Sequence, residues 1–483
     1  MQLTTNLTPD FKISRIITGL WQIADMERDG TTLDPKVTAE FMKDYAKAGF
    51  TTFDMADHYG SSEIISGTFK NSYADDDQIK LFTKWVPEPG KITRETVRKA
   101  VELALDRMQQ DSIDLMQFHA WHYPDPSWLD GLFYLKELKE EGLIKHLGVT
   151  NFDAVHLRIA LASGIPIVSN QICHSLIDQR ANGKMLDVCQ EYGVKILAFG
   201  TLAGGFLTDK WLGKSEPQQA DLKTWSQMKY KRFIDAAGGW EPYQKLLQTV
   251  KKVADKHEVS MANIASRYIF ENKAVASVIV GARLGASEHI ADNKKVVEID
   301  LLADDIAAIK EAQARLKTIP GGCGDEYRKP PFLTASGDLS HHLQSIPKTF
   351  VPIKTRENRE QVFSGTVWEE FAGYCRAVKD GNRIHVSGTT ATHGDLMIGG
   401  KDAAAQTHFV IDKIEGAIES LGGTLSDVVR TRIFVNNLED WEPVARAHGD
   451  RFVGINPANT LVEARLVGEG YLVEIEAEAV LKS

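Results

Sequence analysis

From residue 15 to about 282, short apolar runs alternate with longer amphipathic stretches. The runs are RIITGLWQ, TTFDMA, IKLFTKWV, IDLMQFH, HLGVT, IVSNQI, KILAFG and ASVIVGA, eight in all. Between them the spacing changes to a helical rhythm, as in TRETVRKAVELALDRMQ and WLDGLFYLKELKEEGLI. Repeated strand–helix units point to a parallel sheet closed into a (β/α)8 TIM barrel. After about residue 318 the periodicity fades, and IPGGCGDEYRKPPFLTASGDLSHHLQSIPKTFVPI is rich in Gly, Pro, Ser and His. It reads as a barrel tail and linker rather than a packed element. A different rhythm follows. YCRAVKDGNRIHVSG gives two alternating strands around an Asp-Gly turn, and DAAAQTHFVIDKIEGAIESL gives a helix ending before Gly422 and Gly423. Strand-like DVVRTRIFV, a helix over DWEPVARAHGDRFV, and strands in ANTLVEARL and YLVEIEAEAV complete a small α+β domain. The predicted organisation is a barrel over residues 1–317, a tail and linker over 318–349 and the α+β domain over 350–483.

Composition agrees with two cores: 483 residues at 43% hydrophobic exceed one ordinary domain. The net charge of −10, with basic residues scattered, gives no electrostatic footprint for nucleic acid or an anionic membrane. The four cysteines, Cys173, Cys189, Cys323 and Cys375, lack metal-ligand spacing, so no metal site is expected, and they suit free thiols in a reducing compartment. The N-terminal stretch lacks a cationic segment followed by an apolar run, and no segment reaches the ~18 apolar residues of a membrane span. The expectation is a soluble cytoplasmic protein.

Catalytic groups of such a barrel collect where strands end. Asp54 ends the second run, Lys84 lies near the end of the third, His119 ends the fourth, and Tyr59 sits on the loop after Asp54. Singly, each reads as a rim ion pair, a hydrogen-bonded rim histidine or a wall aromatic; jointly they form a constellation. A tyrosine titrates near 10, and a neighbouring ammonium favours its phenolate, making it a better proton donor to a developing alkoxide. Lys84 supplies that ammonium, Asp54 holds Lys84 charged and oriented, and His119 hydrogen-bonds the carbonyl oxygen beside Tyr59. The expected reaction adds hydride to a carbonyl carbon and delivers a proton to its oxygen. No strand-Gly-x-Gly-x-x-Gly-helix unit is present, so the barrel itself must hold the hydride donor.

FDMADHYGSSE, LFTKW, DLMQFH, HLGVTNF, NQI and LAFGTLAGGFLT, in that order across about residues 12 to 317, resemble the successive motifs of the aldo-keto reductase family. The resemblance maps the family's catalytic tetrad onto Asp54, Tyr59, Lys84 and His119. It assigns the nicotinamide carboxamide to Thr150, Asn151 and Gln171, stacking on the nicotinamide ring to Phe199, and the pyrophosphate to the turn carrying Gly204 and Gly205. Gly19, Trp21, Gly200 and Leu202 join that cofactor-binding set. GARLGASEHIADN resembles the adenosine-binding segment, with Arg283 and Asn293 at contact positions and His289 where many relatives carry an Arg. An Arg there suits a 2′-phosphate, which implies NADPH, with NADH as the alternative. Trp21, Trp85, Trp121 and His122 are candidate walls of an aromatic-rich substrate pocket; the alternative for the tryptophans is simple packing.

From about residue 350, GYCRAVKDGNRIHVSGTTA, SLGGTLSDVVRTRIFV, NPANTLVEARL and LVEIEAEAV resemble the RidA family, with its chorismate-mutase-like fold. That resemblance implies a homotrimer with small-molecule sites between subunits and, in the deaminating members, an Arg that binds the substrate carboxylate. Here the motif reads Pro457, Ala458, Asn459, and an Asn supplies no charge. Tyr374, Ser387 and Glu474 stand at pocket positions, and Arg376, two residues beyond Tyr374, is a candidate replacement cation. The leading reading is an NADPH-dependent carbonyl reductase held in a homotrimer. The alternatives are an enzyme that couples imine or enamine hydrolysis to carbonyl reduction, and an NADPH-binding sensor or scaffold without turnover.

Overall fold

The computed structural model describes residues 1–25, 31–329 and 346–482. It opens with a hairpin that the periodicity did not reveal: β1 (Thr4–Thr8) pairs antiparallel with β2 (Phe11–Ser14). Leu7, Phe11 and Ile13 from this hairpin form one buried cluster with Ile17, Phe82, Leu115 and Leu197, residues inside the barrel, so the hairpin caps the end where the barrel strands begin.

All eight apolar runs form strands: β3 (Ile16–Gly19), β4 (Thr52–Asp54), β5 (Lys80–Trp85), β6 (Ile113–His119), β7 (Ile144–Thr150), β8 (Ile167–Cys173), β9 (Lys195–Phe199) and β10 (Val275–Gly281). They close in the order β10-β3-β4-β5-β6-β7-β8-β9, every neighbouring pair parallel. The register levels their carboxyl ends: Gly19 lies opposite Asp54, His119 opposite Thr150, and Thr150 opposite Gln171. Several of the helices start at side-chain caps. Thr93 accepts from the Thr96 amide ahead of Arg94–Met108, and Asp153 accepts from His156 ahead of Ala154–Ala162.

Residues 319–329 correct the linker expectation. Ile319 and Cys323 are buried, and the short helix Asp325–Arg328 buries Asp325, Glu326 and Arg328. Polar partners hold this tail in place: Arg328 donates to the Asn151 carbonyl at 2.5 Å, and Glu326 pairs with Arg180 at 3.0 Å. The remaining linker positions from 330 to 345 lie outside the described residues.

The second unit is a sheet of β11 (Ile353–Arg356), β12 (Arg359–Val362), β13 (Ala377–Asp380), β14 (Arg383–Thr390), β17 (Val428–Val435), β18 (Ala458–Glu463) and β19 (Val473–Val480). A separate two-residue pairing joins β15 (Thr392–His393) and β16 (Leu396–Met397). The sheet order is β11-β12-β13-β14-β19-β17-β18, antiparallel except between β17 and β18. Val473, Ile475, Ala477 and Ala479 alternate inward on β19 while Glu474, Glu476 and Glu478 face the other side.

Helix Ala403–Ser420 is buried nearly all round because it is sandwiched between this sheet and barrel helix Ala154–Ala162. The contact is ionic at its centre. The imidazole of His156 lies between Asp153 at 2.7 Å and Asp412 at 3.2 Å, and Arg451 donates to Asp412 at 2.5 Å and to Glu415 at 2.7 Å. Burial alone lowers the His156 pKa, but the two carboxylates outweigh it and raise the value, which favours the cation with an N–H toward each carboxylate. Asp130 with His393 at 2.8 Å and His122 with Glu419 at 3.2 Å frame the same interface.

Candidate active site

The Lys84 ammonium, at the end of β5, donates to Asp54 Oδ2 at 2.6 Å and to the Met55 carbonyl at 2.7 Å. It stands 5.4 Å from the centre of the Tyr59 ring. The Asp54 carboxylate is held from its other side, with Oδ1 accepting from Gln117 Nε2 at 3.0 Å and Gln171 Nε2 at 2.7 Å. Burial lowers the Lys84 pKa, partly opposed by Asp54, and the net direction is down from the ordinary lysine value. Tyr59 is half-buried and packs edge-on to Trp21 with ring centres 5.0 Å apart. His119 Nδ1 lies 3.4 Å from the Thr150 carbonyl, and its ring meets the edge of Trp121 at 4.2 Å. All four ionisable groups open onto one cleft of about 460 Å³ at the carboxyl ends of the strands. Together they offer a proton donor, a cation to support it and a hydrogen-bonding imidazole around one small volume.

The same cleft is lined by every residue the sequence assigned to the cofactor. Gly19, Trp21, Thr150, Asn151, Gln171 and Phe199 lie toward the strand ends, and Gly200, Leu202, Gly204 and Gly205 form the turn after β9. Arg283, His289 and Asn293 close the outer end. The backbone requires glycine in that turn. Gly204 and Gly205 have φ of +63° and +91°, and a Cβ on Gly200 would lie 2.1 Å from the Tyr230 hydroxyl. At Gly205 a Cβ would meet nothing within 4 Å, so the backbone there is open to a close-lying ligand. Amide side chains at one end, an open glycine turn between and a guanidinium at the other fit an extended nicotinamide dinucleotide. Asn151 adopts φ of +60°, and Arg328 from the tail fixes its carbonyl.

Two substrate-pocket expectations are corrected. Trp85 is not on the cleft; it is 6% exposed and packs on Phe118 with ring centres 5.5 Å apart. Neighbouring strand residues point to opposite faces, so with Lys84 inward Trp85 must point out to the helix layer. His122 is turned away as well, toward Glu419 of the second unit. Trp21 and Trp121 do line the cleft. Among the residues the sequence reading missed are Gln117, which holds Asp54, and the cleft residues Lys229 and Tyr327. Gln117 sits two residues before His119 on the same face of β6, and a polar residue inside an apolar strand is the signal that could have found it. Lys229 and Tyr327 lie on helix Trp225–Ala236 and on the tail, where no strand end points to them.

In the second unit Tyr374, Arg376, Ser387 and Glu474 lie near one another around Gly388, while Asn459 does not join them within one chain. Arg376 is 4% exposed and donates to the Gly388 carbonyl at 2.9 Å and to Thr389 Oγ1 at 2.5 Å, so its guanidinium is held by its own sheet. That arrangement argues against it as a cation presented to a ligand. Tyr374 lies with its ring centre 5.8 Å from the Arg376 guanidinium, Ser387 donates to the Cys375 carbonyl at 2.8 Å, and Glu474 crowds Gly388. Asn459 stands apart on edge strand β18, separated from β19 by β17, and donates to Thr431 Oγ1 at 2.8 Å.

Comparison with known proteins follows this division. The model of the aldo/keto reductase family matches residues 15–314, and that of endoribonuclease L-PSP, the RidA family, matches residues 368–481. The NADH-specific methylglyoxal reductase of Escherichia coli is 24% identical over 334 residues, covering 64% of this chain and 98% of its own. An uncharacterized protein of Streptomyces coelicolor is 36% identical over 126 residues, covering 26% of this chain and 94% of its own. The solved glycerol dehydrogenase of Gluconobacter oxydans shares the fold, with a TM-score of 0.55 at 21% identity over 66% of this chain and 97% of its own. No helix among the described residues is long and apolar enough to cross a membrane. Since the family match spans the whole closed barrel and the strand ends that open on its cleft, the chain belongs to the aldo/keto reductase family of NAD(P)H-dependent oxidoreductases, here joined to a RidA-family domain.

Proposed function

We propose that the barrel reduces an aldehyde or ketone to an alcohol with NADPH, and that Tyr59 is the proton donor. The observation that carries this reading is the Asp54–Lys84 pair at 2.6 Å, with Lys84 beside the Tyr59 ring and His119 on the same cleft. Bound reduced nicotinamide supplies the hydride for the carbonyl carbon. The carbonyl π pair moves onto oxygen, where the Tyr59 hydroxyl gives up its proton, and solvent reprotonates the phenolate. Lys84 lowers the cost of that phenolate, Asp54 and the two glutamines fix Lys84, and His119 donates toward the oxygen. Asn151, Thr150 and Gln171 would hold the carboxamide and Phe199 the ring. Arg283, exposed at the outer end, supports NADPH over NADH through its affinity for a 2′-phosphate.

We assign assembly to the second domain, as a homotrimer through the sheet face left uncovered by its helices. Glu474, Glu476 and Glu478 on that face stay partly exposed in one chain, as Val462 on edge strand β18 does. The four buried free thiols suit a reducing cytoplasm. The test is oxidation of NADPH and of NADH, measured separately, with a panel of aldehydes, ketones and cyclic imines, alongside light scattering of the full chain. Carbonyl-dependent NADPH oxidation by a particle of three times the chain mass is expected. Consumption of a 2-imino acid without any nucleotide would favour deamination instead, and tight nucleotide binding without turnover would favour the sensor reading.

A further inference from the structure

The cleft contains a second lysine–tyrosine pair besides Lys84 and Tyr59. Lys229, 8% exposed, donates to the Tyr327 hydroxyl at 2.6 Å. Rings surround the rest of its head: Tyr327 at 4.4 Å, Phe199 at 5.2 Å, Tyr230 at 5.3 Å and Phe233 at 5.6 Å from Nζ to ring centre. Among the described residues no carboxylate comes within 4 Å of it and the Tyr327 hydroxyl is its one hydrogen-bond acceptor. Burial works against its charge, but Tyr327, Glu326 and Cys173 outweigh that and raise its pKa, and Glu326 is itself paired with Arg180. A buried ammonium without a direct counter-ion is costly, and aromatic faces compensate only in part. Both Lys229 and Tyr327 line the cleft, so the unused N–H donors and the Tyr327 O–H can reach a ligand there.

Position decides which ligand. The Tyr327 ring lies 6.1 Å from the His119 ring, edge to face, which puts the pair one ring's width from the proposed carbonyl site. Lys229 lies about one helical turn further in than Thr224, the cap of its helix, and borders Phe199. We propose that Lys229 and Tyr327 form an anion subsite that selects carbonyl substrates carrying a carboxylate or phosphate several bonds from the reacting carbon. This rests on the reading of the barrel as a carbonyl reductase. Lys229 provides the charge, and the Tyr327 hydroxyl, its oxygen already accepting from Lys229, donates its proton to the same anionic group.

The test compares substrates in which only a carboxylate is exchanged for a methyl group: succinic semialdehyde against butanal, and 4-carboxybenzaldehyde against 4-methylbenzaldehyde. The full chain is expected to favour the acid in at least one pair. Lys229→Met should lower kcat/KM for that acid about tenfold or more beyond any loss on its methyl partner, mainly through KM. Tyr327→Phe should shift the preference in the same direction by less. In parallel, 4-methylbenzoate, which cannot be reduced here, is titrated by calorimetry into the protein saturated with NADP+; binding that Lys229→Met abolishes is expected. Equal treatment of acids and methyl partners by the unaltered chain, or a Lys229→Met loss that falls on NADPH affinity and spares the acid preference, overturns the proposal, the latter making Lys229 a cofactor-phosphate ligand. If no aldehyde is turned over, the reductase reading fails by itself, and the benzoate titration still decides the subsite: binding lost in Lys229→Met upholds it, no binding to the unaltered chain refutes it.

Discussion

Lys84 in the barrel and Arg376 in the second domain are both buried cations, 5% and 4% exposed, yet they are held for different ends. Lys84 is fixed by Asp54 and a backbone carbonyl at a strand end, with its head beside a tyrosine that opens on a cleft. Arg376 donates to the carbonyl and hydroxyl of its own neighbouring strand, and its guanidinium serves the sheet. A buried charge is functional when its surroundings orient it toward a ligand volume, and structural when its donors close on the backbone. By that measure Lys84 faces a ligand volume, and Arg376 serves the sheet of the second domain.

The sharpest break in the comparison comes at Lys84. Lys84→Met should lower kcat by about a hundredfold or more, since support of the proton donor is lost in the transition state, with nucleotide affinity read separately by fluorescence titration. In the unaltered enzyme, kcat/KM should fall on the alkaline side at a pH below the ordinary lysine value, because burial lowers the Lys84 pKa and its charge is lost early. A profile flat through that range would separate Lys84 from the reaction.

Next in size is the tie between the two regions. His156→Gln leaves Asp153 and Asp412 buried across the interface without their shared cation, and should destabilise the chain by about 3 kcal/mol, measured by urea unfolding. The sign of the pH effect follows from the raised His156 pKa. Its contribution is fully present below the ordinary histidine pKa and is lost as pH rises through the raised value, so unfolding midpoints should decline on that alkaline side and lose this dependence in His156→Gln. Arg376→Ala, which strips donors from buried carbonyls, should cost about 1–3 kcal/mol by the same measurement and leave small-carboxylate binding by the second domain unchanged. Smallest is Arg283→Ala, which should raise KM for NADPH about tenfold while moving that for NADH much less, because the residue is exposed and its ion pair is screened.

The eight barrel strands were legible because strands covered on both faces must be continuously apolar, and the site was legible because ionisable residues interrupt those runs at their ends. What escaped was held together by polar contacts. The tail packs through Arg328, Glu326 and Cys323 in a stretch whose glycines and prolines mask any period. Hairpin β11–β12 has a first strand exposed at every position, so no alternation marks it. Lys229 looks like one more cation in WSQMKYKRF until the fold seats it among four rings. Trp85 was misassigned by reading the motif Lys-Trp as a unit when strand alternation sends the two side chains apart.

The central claim, that Tyr59 delivers the proton in a carbonyl reduction carried out by this barrel, is tested most directly by Tyr59→Phe. Nucleotide binding and carbonyl-dependent NADPH oxidation would be measured on the same preparation, with the best aldehyde from the panel. The account predicts that the variant binds NADPH as the unaltered chain does and loses turnover by about a hundredfold or more. Turnover that persists in Tyr59→Phe would contradict it and move the proton donor elsewhere in the cleft.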